Sequence, residues 1–147
     1  PLRPLAALLG AETSWNSETG AALSTRGSDD LYWLSRIISA ESRGEPFLGQ
    51  VAAGNVVMNR VKSVEFPGDV YGVIFDGRWG GQFEPVRNGT VYNDPEPSCV
   101  LAARLCLAGA SAAGGSLYFL APSLTSNHWT MENRTYVTTI GSHWFYE

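Results

Sequence analysis

Glu41 follows Leu31, Leu34 and Ile38 at steps of 3, 4 and 3 residues. That spacing puts all four side chains on one face of a helix, so a carboxylate closes an otherwise apolar stripe at the helix's C-terminal end. Desolvation disfavours its charged form, and the negative end of the helix dipole acts in the same direction; both raise its pKa. A carboxylic acid that keeps its proton near neutral pH can protonate a leaving oxygen, as glycosidases require. The same spacing also fits a carboxylate rotated to the rim and paired with Arg43 or Arg36, and such ion pairs are the commoner reason for a charge at this kind of position.

Other carboxylates have weaker signals. Glu84, in Gly80-Gly81-Gln82-Phe83-Glu84-Pro85, lies in a glycine-flanked loop and reads either as a second site carboxylate or as a solvated loop charge. Glu45 stands where it would stabilise the N-terminal dipole of the next helix. Asp69 and Asp76 have turn neighbours. Among the aromatics, Trp79, Phe83, Tyr118 and Trp129 fall in or beside loop-like segments. Their flat apolar faces suit either sugar rings or the core, and only clustering near Glu41 would favour a groove. No Ser/His/Asp nucleophile order, phosphate-binding loop or dinucleotide fingerprint is present, so no cofactor is expected. Cys99 and Cys106 are seven residues apart on a helical segment, too far for a disulfide, and read as buried thiols. His128 and His143 lack ligand spacing, and no metal is expected.

The elements that must position these residues are mostly helical. Ser28-Asp29-Asp30 reads as the start of a first helix running to Glu41 and ended by Gly44. Pro46 suits the first turn of a second, with Phe47, Val51, Gly54, Met58 and Val61 on one face. Gly54 in mid-helix implies the close approach of another backbone. From Phe66 to Thr90, Pro-Gly, Asp-Gly, Gly-Gly and Asn-Gly pairs read as loops and turns. A third helix is expected over Glu96 to Ala113, with Val100, Leu101, Leu105 and Ala108 inward. Leu117 to Leu120 and the β-branched and aromatic end, Thr135 to Tyr146, are expected to pair as two short strands. The fold class is α+β, mainly helical, with a minor two-stranded β element. Residues 1–27 read as a leader or linker and 28–147 as the working domain.

Composition supports one core. The chain has 147 residues with 44% hydrophobic and 12% aromatic content, a net charge of −4, and only 16% charged residues. A disordered chain is excluded. No basic stripe exists to neutralise phosphates, which counts against nucleic acid as a partner. The uncharged stretch from Leu105 to Met131 is broken by Gly, Pro and Asn and does not read as a membrane span.

The sequence resembles the spore cortex-lytic, SleB/CwlJ-type cell-wall hydrolases of bacteria. The resemblance rests on Ala40-Glu41-Ser42-Arg43-Gly44-Glu45-Pro46 followed by Gly49-Gln50-Val51-Ala52-Ala53-Gly54-Asn55-Val56-Val57-Met58-Asn59-Arg60-Val61. It continues in Phe66-Pro67, Gly72-Val73-Ile74, Gln82-Phe83, Leu117-Tyr118-Phe119 and Ile140-Gly141-Ser142-His143-Trp144-Phe145-Tyr146, and so covers about Asp30 to Tyr146. It implies a small lysozyme-like domain that cleaves the glycan strand of peptidoglycan in the cell envelope or spore cortex during germination, with Glu41 as the single catalytic acid. Gln82, Phe83, Tyr118, Trp79 and Trp129 become the candidate substrate-binding residues. A lytic transglycosylase mechanism is then expected. The alternatives are a hydrolytic muramidase pairing Glu41 with Glu84 and a non-catalytic peptidoglycan-binding module. Many members have Ser or Thr where this chain has Glu84, and Asn where it has Ala121, a hydrogen bond that Asn127 could supply instead. The peptidoglycan strand is the expected partner, alongside an inhibitory or localising protein, and the chain itself is expected to be a monomer.

Overall fold

The computed structural model describes residues 11–16, 20–125 and 128–147. An antiparallel pair, β1 (Ala11–Asn16) and β2 (Gly20–Thr25), lies within the segment read as leader or linker. It runs directly into α1 (Arg26–Ser42), so the helix begins ahead of the expected Ser28 start. After a turn through Arg43, Gly44 and Glu45, Pro46 caps α2 (Phe47–Lys62) from outside in an extended conformation, φ −52° and ψ 150°. It is the residue before the helix and not part of its first turn.

α2 is the central helix. It buries residues around most of its circumference, from Gly49 to Val57 without a break, where one apolar face had been expected. Helices buried on all sides are the ones that lose a clean amphipathic stripe. The stretch expected as loop contains two short helices, α3 (Val70–Ile74) and α4 (Glu84–Asn88), and single 3-10 turns at Arg78–Gly80 and Thr90–Tyr92. Asp69 caps α3, accepting from the Gly72 amide at 2.7 Å, a job its turn-like context could not distinguish from a turn.

The third long helix, α5 (Pro97–Leu107), is shorter than expected. Gly109 takes the left-handed conformation (φ 95°), its amide donates to Cys106 O at 3.0 Å, and the Ala110 amide donates to Leu105 O at 2.9 Å. These two bonds form the glycine-dependent stop that ends many helices. The inward face is Cys99, Ala102, Ala103 and Cys106, while Leu101 and Leu105 are exposed. The expected phase is therefore corrected: small residues face inward because α5 packs on both α1 and α2. Both thiols are free and buried.

Gly54 marks the place where the three helices meet. A Cβ there would lie 2.7 Å from both Cys106 Sγ and Ile38 Cδ1, so the close neighbours are side chains and not the backbone expected. Gly54→Ala should lower stability by about 1 kcal/mol in urea unfolding, because overpacking of about 1–3 kcal/mol outweighs a helix-propensity gain of about 1 kcal/mol.

Beyond α5, polar side chains of α2 hold the chain. Asn55 Nδ2 donates to Ala110 O and its Oδ1 accepts from the Ala112 amide, both at 2.6 Å; Asn59 Nδ2 donates to Gly114 O and Ser116 O at 2.9 and 3.0 Å. This leads into β3 (Tyr118–Leu120) and, after the short helix α6 (Trp129–Asn133), β4 (Tyr136–Ile140) and β5 (His143–Tyr146). The β element is a three-stranded antiparallel sheet in the order β3-β5-β4, not two-stranded. The expected terminal strand folds back at Gly141-Ser142, where Gly141 adopts φ 61°, a backbone that two-residue hairpin turns favour. Phe145 is fully buried against Ala52, Val56 and Ala113, which fastens the sheet to α2.

Candidate active site

Glu41 sits in the last turn of α1, partly buried, with Ile38 and Leu34 beneath it fully buried. The apolar stripe thus carries the carboxyl where the spacing placed it. Neither candidate arginine pairs with it. Arg36 Nη2 donates to Asp94 at 2.9 Å and its guanidinium stacks on the Tyr32 ring at 3.8 Å, and among the described residues no ion pair holds Glu41. Burial pushes the Glu41 pKa up to about 7, the nearby Glu84 carboxylate adds to the rise, and Arg60 opposes it. The side chain can therefore hold and release a proton near neutrality.

Two clefts meet at this carboxyl. One, of about 330 Å³, is polar and is walled by Arg36, Arg43, Glu84, Asn88 and Thr90 among others. The other, of about 240 Å³, is walled by Arg60, Gln82, Phe83, Phe119, Leu124 and His143, with Leu120 and Ala121 at its side. Glu41 lines both. They form two arms of one groove, one beside α4 and one beside the sheet, where apolar side chains alternate with Arg60, Gln82 and His143, with a protonatable carboxyl at the junction.

Each element contributes by its local sequence. α1 brings Glu41. The Gly80-Gly81 pair, both at positive φ, lets the chain reverse and present Gln82 and Phe83 ahead of α4, whose first residue is Glu84. β3 and β5 bring Phe119 and His143, whose rings meet edge to face at 5.1 Å. The β4-β5 turn is fixed by Glu45, whose carboxylate accepts from the Ser142 amide at 2.8 Å and from the Ser142 hydroxyl. These bonds hold the Glu45 carboxyl below its usual value against the opposing effect of burial. Glu45 therefore ties the turn after α1 to the sheet, a contact made from its place just ahead of α2, where the helix dipole favours a carboxylate.

The sequence-derived candidates divide. Gln82 and Phe83 join Glu41 in the arm beside the sheet. Glu84 lies in the polar arm but is 60% exposed at its side chain and pairs with Arg87. Tyr118 stands behind the wall, its hydroxyl accepting from Arg134 Nη2 at 2.8 Å and its ring 5.4 Å from the Arg60 guanidinium. Trp79, 92% exposed, and Trp129 line neither arm. Ala121 borders the arm beside the sheet, and Asn127 lies outside the described residues. Sequence reasoning about single residues passed over Arg60, Phe119 and His143. Arg60 had a signal: a cation on a helix otherwise apolar enough to be buried. Among the described residues no group of three or more His, Cys, Asp or Glu could hold a metal ion, and no helix is long and apolar enough to cross a membrane.

Fold and groove together define a small, mainly helical lysozyme-like domain with one desolvated carboxyl at the centre of a groove. Residues 44–146 match the family described as Cell Wall Hydrolase, and the chain belongs to that family. It is 36% identical over 117 residues to the spore cortex-lytic enzyme of Bacillus cereus, covering 80% of this chain and 44% of that protein, and 32% identical over 120 residues to that of Bacillus subtilis, covering 82% and 38%. This chain thus spans less than half the length of these curated relatives. The catalytic domain of the germination-specific lytic transglycosylase SleB from Bacillus anthracis superposes with a TM-score of 0.73 at 35% identity, over 81% of this chain and 94% of that one. The catalytic domain of the Bacillus cereus SleB protein does so with a TM-score of 0.72 at 35% identity, over 82% and 91%.

Proposed function

We propose that this domain cleaves the glycosidic bond between N-acetylmuramic acid and N-acetylglucosamine in bacterial peptidoglycan, outside the cytoplasm, by lytic transglycosylation, with Glu41 as the single catalytic acid and base. The observation that carries this reading is the junction itself: one carboxyl with a pKa of about 7, set where two arms of a groove meet. Likeness to the SleB catalytic domains supports the substrate and the germination setting.

The protonated Glu41 gives its proton to the glycosidic oxygen as the bond from the muramic C1 breaks. The 6-hydroxyl of the same sugar then attacks C1, and Glu41 takes the hydroxyl proton. A 1,6-anhydro ring forms and no water is consumed. Glu84 is the candidate for a hydrolytic route, because it lines the polar arm and its charge reaches Glu41. Its exposure and its pairing with Arg87 favour the route without a second carboxylate. Mass spectrometry of digested glycan strands is expected to show anhydro-muramic ends; reducing muramic ends alone would assign the hydrolytic route. No clearing of purified peptidoglycan by the unmodified chain would leave a binding module as the function.

Glu84 also sets the pH range. Because its charge raises the Glu41 pKa, Glu84→Gln lowers it, and the alkaline limb of the pH-rate profile moves to lower pH. The displacement should be about half a unit, since the exposed carboxylate is screened by solvent and salt. A profile unmoved by the substitution would remove Glu84 from the electrostatics of the site.

A further inference from the structure

Five aromatic side chains that line neither arm of the groove stand together on one flank of the domain. Trp33 of α1 is their hub. Its ring meets those of Tyr32, Tyr71, Phe75 and Tyr92 edge on, with centroids 4.9, 5.5, 4.9 and 6.1 Å away, and Tyr71 stacks on Phe75 at 4.4 Å. Rings packed this closely usually belong to a core, yet Tyr32, Tyr71 and Tyr92 are 46%, 53% and 60% exposed. A contiguous exposed patch of this kind marks an interaction surface.

Its position shows what it is continuous with. From α1, the arm beside α4 takes Arg36, Ser39, Ala40 and Arg43. Tyr32 precedes Arg36 by four residues and so lies on the same helix face, one turn nearer the start. The Arg36 guanidinium covers the Tyr32 ring at 3.8 Å. From the segment after α4, Thr90, Asn93 and Asp94 line the arm, and Tyr92 shares the 3-10 turn with Thr90. On the helix and on this segment alike, the lining of the arm runs on into the aromatic patch. Arg36 joins the two by its bond to Asp94.

The chemistry of the patch fits a carbohydrate. Arg36 and Asp94, the charges between the arm and the rings, are paired with each other, so a strand that crosses them need carry no charge there. Exposed tyrosines offer a flat apolar face with a hydroxyl at its edge. A pyranose ring has the matching pattern, with apolar C–H faces and a hydroxylated rim. Along α1, Tyr32 lies about 13 Å from Glu41 at a rise of ~1.5 Å per residue. A disaccharide seated at the acid does not reach that far, and a longer strand does.

We propose that Tyr32 and Tyr92, seated on Trp33, form a distal glycan-binding platform, on which sugar rings of the strand stack several units away from the bond being cut. This rests on the reading of the groove as a glycan site, and it makes the domain selective for long strands over short fragments.

The test is calorimetric titration of the intact chain carrying Glu41→Gln, which removes the acid, with chitobiose and chitohexaose, uncharged β-1,4 glycans that differ in length. The hexamer should bind about tenfold more tightly than the dimer, since only the longer chain gains the aromatic contacts. Tyr32→Ala and Tyr92→Ala, each added to Glu41→Gln, should weaken the hexamer about fivefold, the scale of one aromatic contact, and leave the dimer unchanged. Tyr136→Ala removes a similarly exposed ring (54%) from β4 and should alter neither. Near-UV circular dichroism checks the packing around Trp33; if Tyr32→Ala disturbs it, Tyr92→Ala decides the matter. Hexamer binding unchanged in Tyr92→Ala, or weakened no more than dimer binding, overturns the platform. A dimer of the chain in analytical ultracentrifugation that Tyr92→Ala dissociates assigns the patch to contacts between copies and overturns it too. A chain that clears peptidoglycan while every variant binds the hexamer alike keeps the proposed activity and loses the platform. Ring-dependent binding by a chain that never clears peptidoglycan overturns the activity and leaves the platform standing.

Discussion

Glu41→Gln should stop peptidoglycan clearing, with a loss of about 10³-fold, the scale expected when a general acid is removed, and it should make the folded protein more stable at pH 8. The second effect follows from the first. The folded pKa is about 7 against a model value of 4.5. Below pH 4.5 the carboxyl is protonated in folded and unfolded chains alike, and it costs nothing. Between the two values the unfolded chain gives up its proton and the folded one does not, so stability falls as pH rises and levels off above 7. Each unit of difference is worth about 1.4 kcal/mol, so the ionised acid costs the fold about 3 kcal/mol at pH 8. Gln carries no such cost. Urea unfolding should show the variant more stable than the parent by about 2–3 kcal/mol at pH 8 and by nothing at pH 4. A gain of equal size at both pH values would mean that packing, not ionisation, is responsible.

Asn55→Ala should cost about 3 kcal/mol in urea unfolding, a large effect for a polar residue. Asn55 is buried, and its two 2.6 Å bonds are the partners of Ala110 O and the Ala112 amide. Removing the side chain leaves two part-buried backbone groups without their protein partner, at about 1 kcal/mol each, and leaves a small void. The segment from 110 to 117 feeds β3, so the wall bearing Phe119 should loosen as well. Activity should fall through a higher KM, with kcat less affected, because Glu41 stands on a different helix. A loss of stability below about 1 kcal/mol would show that this segment is held by other means.

The legible part of the site was the part encoded by local periodicity. Leu31, Leu34, Ile38 and Glu41 obey the helical spacing whatever the rest of the chain does, so the carboxyl at the helix end could be read without tertiary information. Gln82 was reached through the resemblance to the cell-wall hydrolases, and Phe83 already through its place among the aromatics of loop-like segments. The inner face of α5 was misread because Leu101 and Leu105 are more apolar than Cys99 and Ala103, yet close packing against two helices selects for small volume over apolarity. Glu45 was legible only in part: its position at a helix start is local, but its partner, Ser142, is on the far strand turn. The third strand was hidden in one β-branched and aromatic run, whose division at Gly141 depends on that residue's backbone freedom. Arg60 and His143 come together only through the pairing of β3 with β5 and the packing of both on α2.

The middle strand of the sheet, β5, carries His143 and is flanked by β3 and β4, so the wall facing Glu41 is completed by residues about a hundred positions further along the chain. A domain generally folds as a unit, so the acid on α1 and the wall on β5 take their places together. Because β5 is paired on both sides, whatever unseats it takes the support of β3 and β4 away at once, and the carboxyl then stands on its helix without the wall that faces it.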